Sequence, residues 1–264
     1  MVVMGGYSGQ EALRDVWMSR DGGSNWTRLH TNAPWPARYH CPVVWWQDQI
    51  VILGGCNRDR HAEMCDVWTS KDGIEWDMVV EAPWPRRSAH AAVVFKGRVV
   101  VLGGYQEDFS PSCRLSDVWA GGGAEGDDLS EWEMLTAQGS WSGRCSHCVV
   151  VLNGQIFVLG GRSDVGRLND VHASADGSEW HVVTSSAAWA PRSSFGSFVL
   201  GGFMYVVGGV STDNDRFYND VYRSVDGATW EAVCVSSPWS GRKCFSAVAA
   251  AVPLDDDGGG GGRK

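Results

Sequence analysis

The chain has 264 residues, which is enough for one large all-β domain or for two smaller domains. Its 34 glycines and 15 tryptophans indicate many tight turns and aromatic packing layers rather than a helical domain. The net charge of -9 argues against nucleic acids and anionic membrane surfaces as partners. The first twenty residues contain no basic start and no long apolar stretch, which predicts neither a secretory signal nor a membrane span. The compartment stays open, with the cytoplasm favoured.

Gly-Gly doublets recur about every fifty residues, and each follows a short apolar run. They lie at 5–6, 54–55, 103–104, 160–161 and 208–209. After each doublet come a variable loop, an Asp-Val pair, a Trp and finally a Trp-x-x-Arg segment. The five aspartates are Asp15, Asp66, Asp117, Asp170 and Asp220, and the five arginines are Arg38, Arg87, Arg144, Arg192 and Arg242. In the four cases where a doublet follows the Arg, the spacing is sixteen residues.

Each unit therefore contains four short β-type runs. We name them A (after the Arg), B (ending in Gly-Gly), C (at Asp-Val) and D (at the later Trp). Four short strands repeated at this spacing predict the blades of a β-propeller. The doublet, the aromatic residue of strand C and the Trp of strand D resemble the kelch repeat over residues 1 to about 252. That resemblance implies four-stranded antiparallel blades with strand A beside a central channel.

The repeat is out of phase with the ends of the sequence. It opens inside a strand B (residues 1–4) and closes after a strand A (residues 244–252). The units lie near 1–37, 38–86, 87–143, 144–191 and 192–241, with a closing strand at 242–252 and a disordered acidic, Gly-rich tail at 253–264. Two interpretations stay open: five blades closed by pairing the C-terminal strand A with the N-terminal strands B, C and D, or a five-repeat portion of a larger propeller.

A short turn motif, Ser-x-Asp-Gly, recurs between strands C and D. It contains Asp21, Asp72, Asp176 and Asp226. In some secreted glycan-cleaving enzymes a similar stretch marks the Asp-box hairpin. Four copies favour a structural role, because the Asp can accept backbone hydrogen bonds and the Gly can adopt a positive φ. A catalytic group would be needed only once.

Two recurring charges are expected on one face of the propeller, because strands A and C of a blade run parallel. We expect the Arg before strand A to pair with the Asp of strand C across about 10 Å in most blades. The alternative is a ring of arginines, Arg38, Arg87, Arg144, Arg192 and Arg242, that captures an acidic peptide or a sugar carboxylate. Some kelch domains use arginine in this way. The Trp three residues before each Arg is expected to pack the loop.

The B-to-C loops differ between units, which is typical of binding loops on a rigid scaffold. Together with the D-to-A loops they predict a recognition surface. The candidates for convergent polar groups in these loops are His61, Glu63, Glu107, Asp108, Asp164 and Asp213. Asp213 with its neighbours could bind calcium, although a solvated turn is the simpler interpretation.

The cysteines carry few signals for chemistry. Cys145 and Cys148 enclose His147 in a C-x-x-C, which could indicate zinc or redox chemistry, but the segment also fits an apolar strand. Cys56 and Cys65 could form a disulfide in an oxidising compartment.

No complete catalytic set is visible. The copper oxidases with this fold need a Tyr–Cys cross-link, two His and a second Tyr. Iron-dependent plant relatives use Glu-x-x-x-Asp-x-x-x-His, which Glu11 and Asp15 begin but Ser19 does not complete. A sialidase needs an Arg triad, a Tyr–Glu pair and an acid. We therefore predict a monomeric, non-catalytic scaffold that needs no cofactor or metal and binds a protein or peptide. The alternative is a carbohydrate-active enzyme on the same fold.

Overall fold

The computed structural model describes residues 1–57, 62–107, 113–123, 128–211 and 216–249. In these ranges the chain forms nineteen β-strands and no helix. The strands group into five separate sheets, and consecutive strands within each sheet pair antiparallel. The molecule is a five-bladed β-propeller, which confirms the prediction from the repeat.

The blades follow one another in the chain. The first contains β1 (Val2–Tyr7), β2 (Ala12–Met18) and β3 (Thr27–His30). The second contains β4 (Val43–Trp46), β5 (Gln49–Asn57), β6 (Ala62–Ser70) and β7 (Asp77–Glu81). The third contains β8 (Ala91–Phe95), β9 (Arg98–Gln106), β10 (Cys113–Gly121) and β11 (Trp132–Thr136). The fourth contains β12 (Cys148–Leu152), β13 (Gln155–Ser163), β14 (Gly166–Ser174) and β15 (His181–Thr184). The fifth contains β16 (Gly196–Leu200), β17 (Phe203–Val207), β18 (Val221–Ser224) and β19 (Glu231–Cys234).

The Gly-Gly doublets form a bulge in strand B that other residues could not adopt. In the second blade, Gly54 and Gly55 have φ angles of 49° and 101°, and the register of β5 against β6 shifts between Leu53 and Gly55. A Cβ on Gly54 would lie 2.7 Å from the carbonyl oxygen of Met64. The doublet is therefore required by the backbone, which explains why it recurs in every unit.

Tryptophans seal the contacts between neighbouring blades. In four of the five Trp-x-x-Arg segments the Trp is buried and meets the strand D Trp of the following blade edge to face. The ring centroids are 5.9 Å apart in Trp35–Trp76, 5.8 Å in Trp84–Trp132, 6.0 Å in Trp141–Trp180 and 5.8 Å in Trp189–Trp230. These tryptophans pack the structure, as expected, and apolar clusters extend each contact.

The C-to-D turns have the predicted structural role. Asp72 Oδ1 accepts hydrogen bonds from the backbone N–H groups of Ile74 and Glu75 at 2.7 and 3.0 Å. Ser70 Oγ accepts one from the N–H of Gly73 at 2.8 Å, and the indole of Trp76 donates to the carbonyl of Gly73 at 3.1 Å. The same bonds recur at Asp176 and Asp226, and Asp21 forms a similar turn in the first blade.

The start of every strand A converges on the propeller axis. One residue in each copy has a positive φ: His40, Ala89, Ser146, Ser194 and Cys244. Four backbone hydrogen bonds of 2.8 to 2.9 Å join them in order, each N–H donating to the carbonyl of the preceding blade's residue. The C-terminal segment packs closely on β16, because a Cβ on Gly196 would lie 2.7 Å from the Cβ of Ala247.

The C-terminal segment, residues 242–249, continues this inner layer without forming a strand. The predicted pairing of this segment with β1 is not among the strand pairings of the described residues, so the first blade has three paired strands. Residues 250–252 of the predicted strand, and the predicted tail at 253–264, lie outside the described residues. No disulfide joins Cys56 to Cys65 in the structure, although the sequence allowed one.

Candidate binding face

Four buried arginines hold strand A against strand C within their blades. Arg87 donates from Nη1 and Nη2 to the two carboxylate oxygens of Asp117 at 2.8 and 2.6 Å. Its Nη1 also donates to the carbonyl of Gly103, and its Nε donates to that of Pro85. The same bonds form in three further pairs: Arg38–Asp66, Arg144–Asp170 and Arg192–Asp220. The predicted pairing is confirmed in four blades.

Because of these pairs, four of the five arginines predicted as binding residues have a structural role. The side chains of Arg38, Arg87, Arg144 and Arg192 are fully buried, and their guanidinium groups are occupied by carboxylates and carbonyls of the same blade. They therefore do not present a charged ring to a ligand. Burial alone would raise the pKa of Asp66, but the hydrogen bonds and charge of Arg38 outweigh it and lower that pKa.

The fifth copy differs. Arg242 is exposed, and its Nε donates to the carbonyl of Ser240. Its expected partner Asp15 accepts a hydrogen bond from the indole of Trp17 at 2.7 Å, and no ion pair joins Arg242 to Asp15 in the described structure. Only this arginine of the five keeps an exposed cation.

A funnel opens at the centre of the face built by the B-to-C and D-to-A loops. Its volume is about 670 Å³. Four cations and one carboxylate line it: Arg114, Arg162, Arg167, Lys243 and Glu107. The rest of the wall includes the hydroxyls of Ser88 and Ser193 and the five axial residues. The funnel is therefore basic, although the whole chain has a net charge of -9.

On the face where the funnel opens, the residue at one position of each blade contacts the next blade. It lies three residues before the Asp of strand C and is occupied by Ala12, Glu63, Arg114, Arg167 and Phe217. Glu63 accepts from Ser88 Oγ at 2.7 Å and from the backbone N–H of Glu107 at 2.8 Å. Arg114 pairs with Asp164, and Arg167 Nε donates to Ser193 Oγ at 2.7 Å.

Of the five residues at this position, only Glu63 was predicted from the sequence as a binding candidate. The two arginines there, Arg114 and Arg167, were not predicted, and neither were Arg162 and Lys243 of the funnel wall. A signal was present, because each lies at a fixed offset from a repeated Asp, Gly-Gly or Arg while its residue type changes between units. Where the residue type changes at a constant offset on the loop face, the scaffold does not require a particular side chain, so the position is available for binding.

A model of a known protein family matches the later units of the repeat. The model described as the KLHDC2/KLHL20/DRC7 Kelch-repeats domain matches residues 75–252, about two thirds of the chain. The chain belongs to the kelch-repeat family. A search of curated proteins gave no match.

Within this kelch propeller, the three described candidate carboxylates have different surroundings. Glu63 is buried and engaged by the third blade, and Asp164 is exposed and paired with Arg114. Glu107 lines the funnel. His61, Asp108 and Asp213 lie outside the described residues. The binding roles predicted for Glu63, Glu107 and Asp164 stay predictions.

The C-x-x-C segment of this kelch chain is packed into the inner layer. Burial raises the pKa of the Cys148 thiol to about 12 and also raises that of Cys145, which opposes the thiolate form that zinc ligation requires. Among the described residues, no group of three or more His, Cys, Asp or Glu side chains is arranged to hold a metal ion. The described ranges also contain no helix with the length and apolar character to span a bilayer.

Proposed function

We propose that this kelch propeller is a non-catalytic interaction module that binds an acidic segment of a protein or peptide in the basic funnel. Kelch propellers commonly act as protein-interaction scaffolds. The observation that carries the proposal is the charge of the funnel wall, where four cations face one carboxylate.

Two of these cations are available to a ligand. Arg114 is partly neutralised by Asp164, and Arg167 donates to Ser193. Arg162 is exposed and has no ion pair in the described part of the chain. Lys243 is also exposed, and its Nζ lies 5.5 Å from the centre of the Phe217 ring. A carboxylate between Arg162 and Lys243 would receive charge-assisted hydrogen bonds, which are stronger than neutral ones.

The site is a cavity of about 670 Å³, which favours one chain segment over a flat partner surface. The axial residues Ser146 and Ser194 line it together with the cations. A narrow concave site removes water from the cations around a bound group, and this strengthens their electrostatic attraction. An acidic side chain or a terminal carboxylate would fit this chemistry.

No specific observation on the described residues supports the alternative function, a carbohydrate-active enzyme. Catalytic carboxylates in glycosidases flank the scissile bond as a pair. Glu63 and Asp164 are instead used in contacts between blades, and Glu107 alone lines the funnel.

Panning a random peptide library against the immobilised protein tests the proposal. We expect peptides rich in Asp or Glu, or peptides held by a free carboxyl terminus, to be enriched. The Arg162→Glu variant should lose their binding. The matched control is Arg20→Glu, which makes the same charge change in the exposed C-to-D turn on the opposite face. Enrichment of neutral peptides, or equal binding by both variants, would refute the proposal.

A further inference from the structure

One position of the repeat lines the funnel in four of the five blades. It follows the Gly-Gly doublet directly, and the five units place there Tyr7, Cys56, Tyr105, Arg162 and Val210. The residues of the second to fifth blades all line the funnel. The repeat therefore puts Tyr7 of the first blade beside the funnel mouth, where it is 53% exposed.

Tyr7 belongs to an aromatic patch, Tyr7, Tyr39 and His40, that reaches the funnel. The ring centroids of Tyr7 and Tyr39 are 5.2 Å apart, and those of Tyr39 and His40 are 4.9 Å apart. His40 lines the funnel. Tyr39 is buried in a small apolar cluster with Ala12 and Cys56, so the patch rests on a packed base.

The loop after Tyr7 is closed by its own hydrogen bonds. The N–H of Ser8 donates to the carbonyl of Glu11 at 3.1 Å. Ser8 Oγ accepts from the N–H groups of Gln10 and Glu11 at 3.3 and 3.2 Å. A ring held between β1 and such a turn loses little conformational freedom when a ligand packs on it, which favours binding.

The aromatic patch lies next to the cations of the funnel. Arg162 and Lys243 are the exposed cations to which we assign the acidic group of the ligand. Cys244, the residue after Lys243, lines an axial cavity of about 210 Å³ together with His40. The cationic and aromatic parts of the wall therefore meet at the axis, and a segment that reaches Lys243 can also reach the patch.

We infer that the funnel recognises two neighbouring features of one peptide: an acidic group bound by Arg162 and Lys243, and an aromatic side chain packed on Tyr7. The inference rests on the proposed function, which supplies the acidic group, and it adds the residue class beside that group. An aromatic side chain gains more than an aliphatic one, because offset or edge-to-face ring pairs contribute beyond the area they bury. The ring contact also separates this ligand from other acidic segments, which charge alone does not do.

A double-mutant cycle between the protein and a peptide tests the ring contact. The probes are fluorescein-labelled, amidated peptides with six glutamates, a spacer of none to three glycines and a terminal phenylalanine. In the wild-type protein, replacing that phenylalanine by alanine should weaken binding by about threefold to tenfold at the best spacing. In Tyr7→Ala the same replacement should have no effect, and Tyr7→Phe should restore the difference. Fluorescence polarisation measures each dissociation constant.

Two controls separate the ring contact from a general loss of structure. The alanine peptide should bind wild type and Tyr7→Ala equally, which shows an intact funnel. Val225→Ala removes an apolar side chain of similar exposure, 51%, in a C-to-D turn on the opposite face, and should keep the full difference between the two peptides. An equal gain from phenylalanine in wild type and Tyr7→Ala would overturn the inference.

The outcomes distinguish this inference from the proposed function. If both peptides bind but phenylalanine adds nothing at any spacing, the aromatic contact is wrong and the acidic site stands. If neither peptide binds, the proposed function fails and the inference fails with it.

Photo-crosslinking locates the aromatic side chain without any variant of the protein. With benzoylphenylalanine in place of phenylalanine, tryptic digestion and mass spectrometry should find the crosslink in the fragment 1–14, which contains Tyr7. Crosslinks only in fragments from the third to fifth blades would place the side chain elsewhere and overturn the inference.

Discussion

The four junctions between consecutive blades differ from the junction between the fifth blade and the first, although all five have the same sequence signature. In the four, the arginine is fully buried and paired and the tryptophans meet edge to face. In the fifth, Arg242 is exposed and Trp26 is 37% exposed. The residues are the same, so the difference lies in burial and pairing. This comparison predicts that identical substitutions will have unequal effects.

The largest difference is expected at the arginines. Arg87→Ala leaves Asp117 buried without its partner, which should lower the free energy of unfolding by about 3–5 kcal/mol. Arg242→Ala removes an exposed side chain and should change it by less than about 0.5 kcal/mol. Urea unfolding of both variants measures the two values. Equal losses would mean that Arg242 is buried and paired in solution.

The tryptophans should repeat this contrast. Trp189 is fully buried against Trp230, and Trp189→Ala should lower the free energy of unfolding by about 3–5 kcal/mol. Trp239 is half-buried and has no ring contact with Trp26, so Trp239→Ala should have a smaller effect. Thermal unfolding of the two variants measures the contrast. A larger loss from Trp239→Ala would show that the fifth junction is sealed as well.

Much of this architecture could be predicted from the sequence. The Gly-Gly bulges, the C-to-D turns and the Arg–Asp pairs are fixed by spacing within one unit, and such local rules repeat without knowledge of the ring. The strand predicted at 242–252 is not formed over 242–249, and local spacing could not decide this, because its pairing with β1 would join residues from opposite ends of the sequence. Arg162 and Lys243 were not predicted, because the prediction relied on residues that recur in every unit. The funnel wall contains residues whose type changes from one unit to the next.

The four junctions with buried tryptophan pairs also differ from one another in the residue that packs against the tryptophan. The pH dependence of stability can reveal this difference. His147 packs against Trp141, while the same position is Phe195 in the next unit and Phe245 in the last. Burial, assisted by the charge of Arg144, lowers the pKa of His147 from 6.5 to about 3. Its two ring nitrogens have no hydrogen-bond partner in the described structure.

The sign of the pH effect follows from this lowered pKa. Above pH 6.5 the imidazole is neutral in both states, so no stability is lost. As the pH falls from about 6.5 toward 3, only the unfolded state takes up the proton, and the folded state loses stability. His147→Phe should therefore reduce the loss between pH 7 and pH 4 by about 3 kcal/mol. Urea midpoints at the two pH values measure it.

The reverse substitution extends the comparison to the fifth junction. Phe245 is half-buried, so Phe245→His should add a smaller pH dependence than His147 produces. If His147→Phe leaves the acid profile unchanged, the imidazole is not buried in the folded protein. If Phe245→His adds an equal dependence, the fifth junction excludes water as well as the others do.

The smallest effect, and the one expected to be the same in both regions, concerns the C-to-D turns. Backbone hydrogen bonds lower the pKa of both Asp176 and Asp21 to about 2. Each carboxylate therefore stabilises the fold above pH 3.8, and this contribution is lost as the pH falls toward 2. Asp176→Ala and Asp21→Ala should each lower the thermal midpoint slightly at pH 7, and the difference from wild type should shrink in acid. These bonds lie within each turn, so an unequal loss would show that the first blade is distorted locally and not only unpaired at its edge.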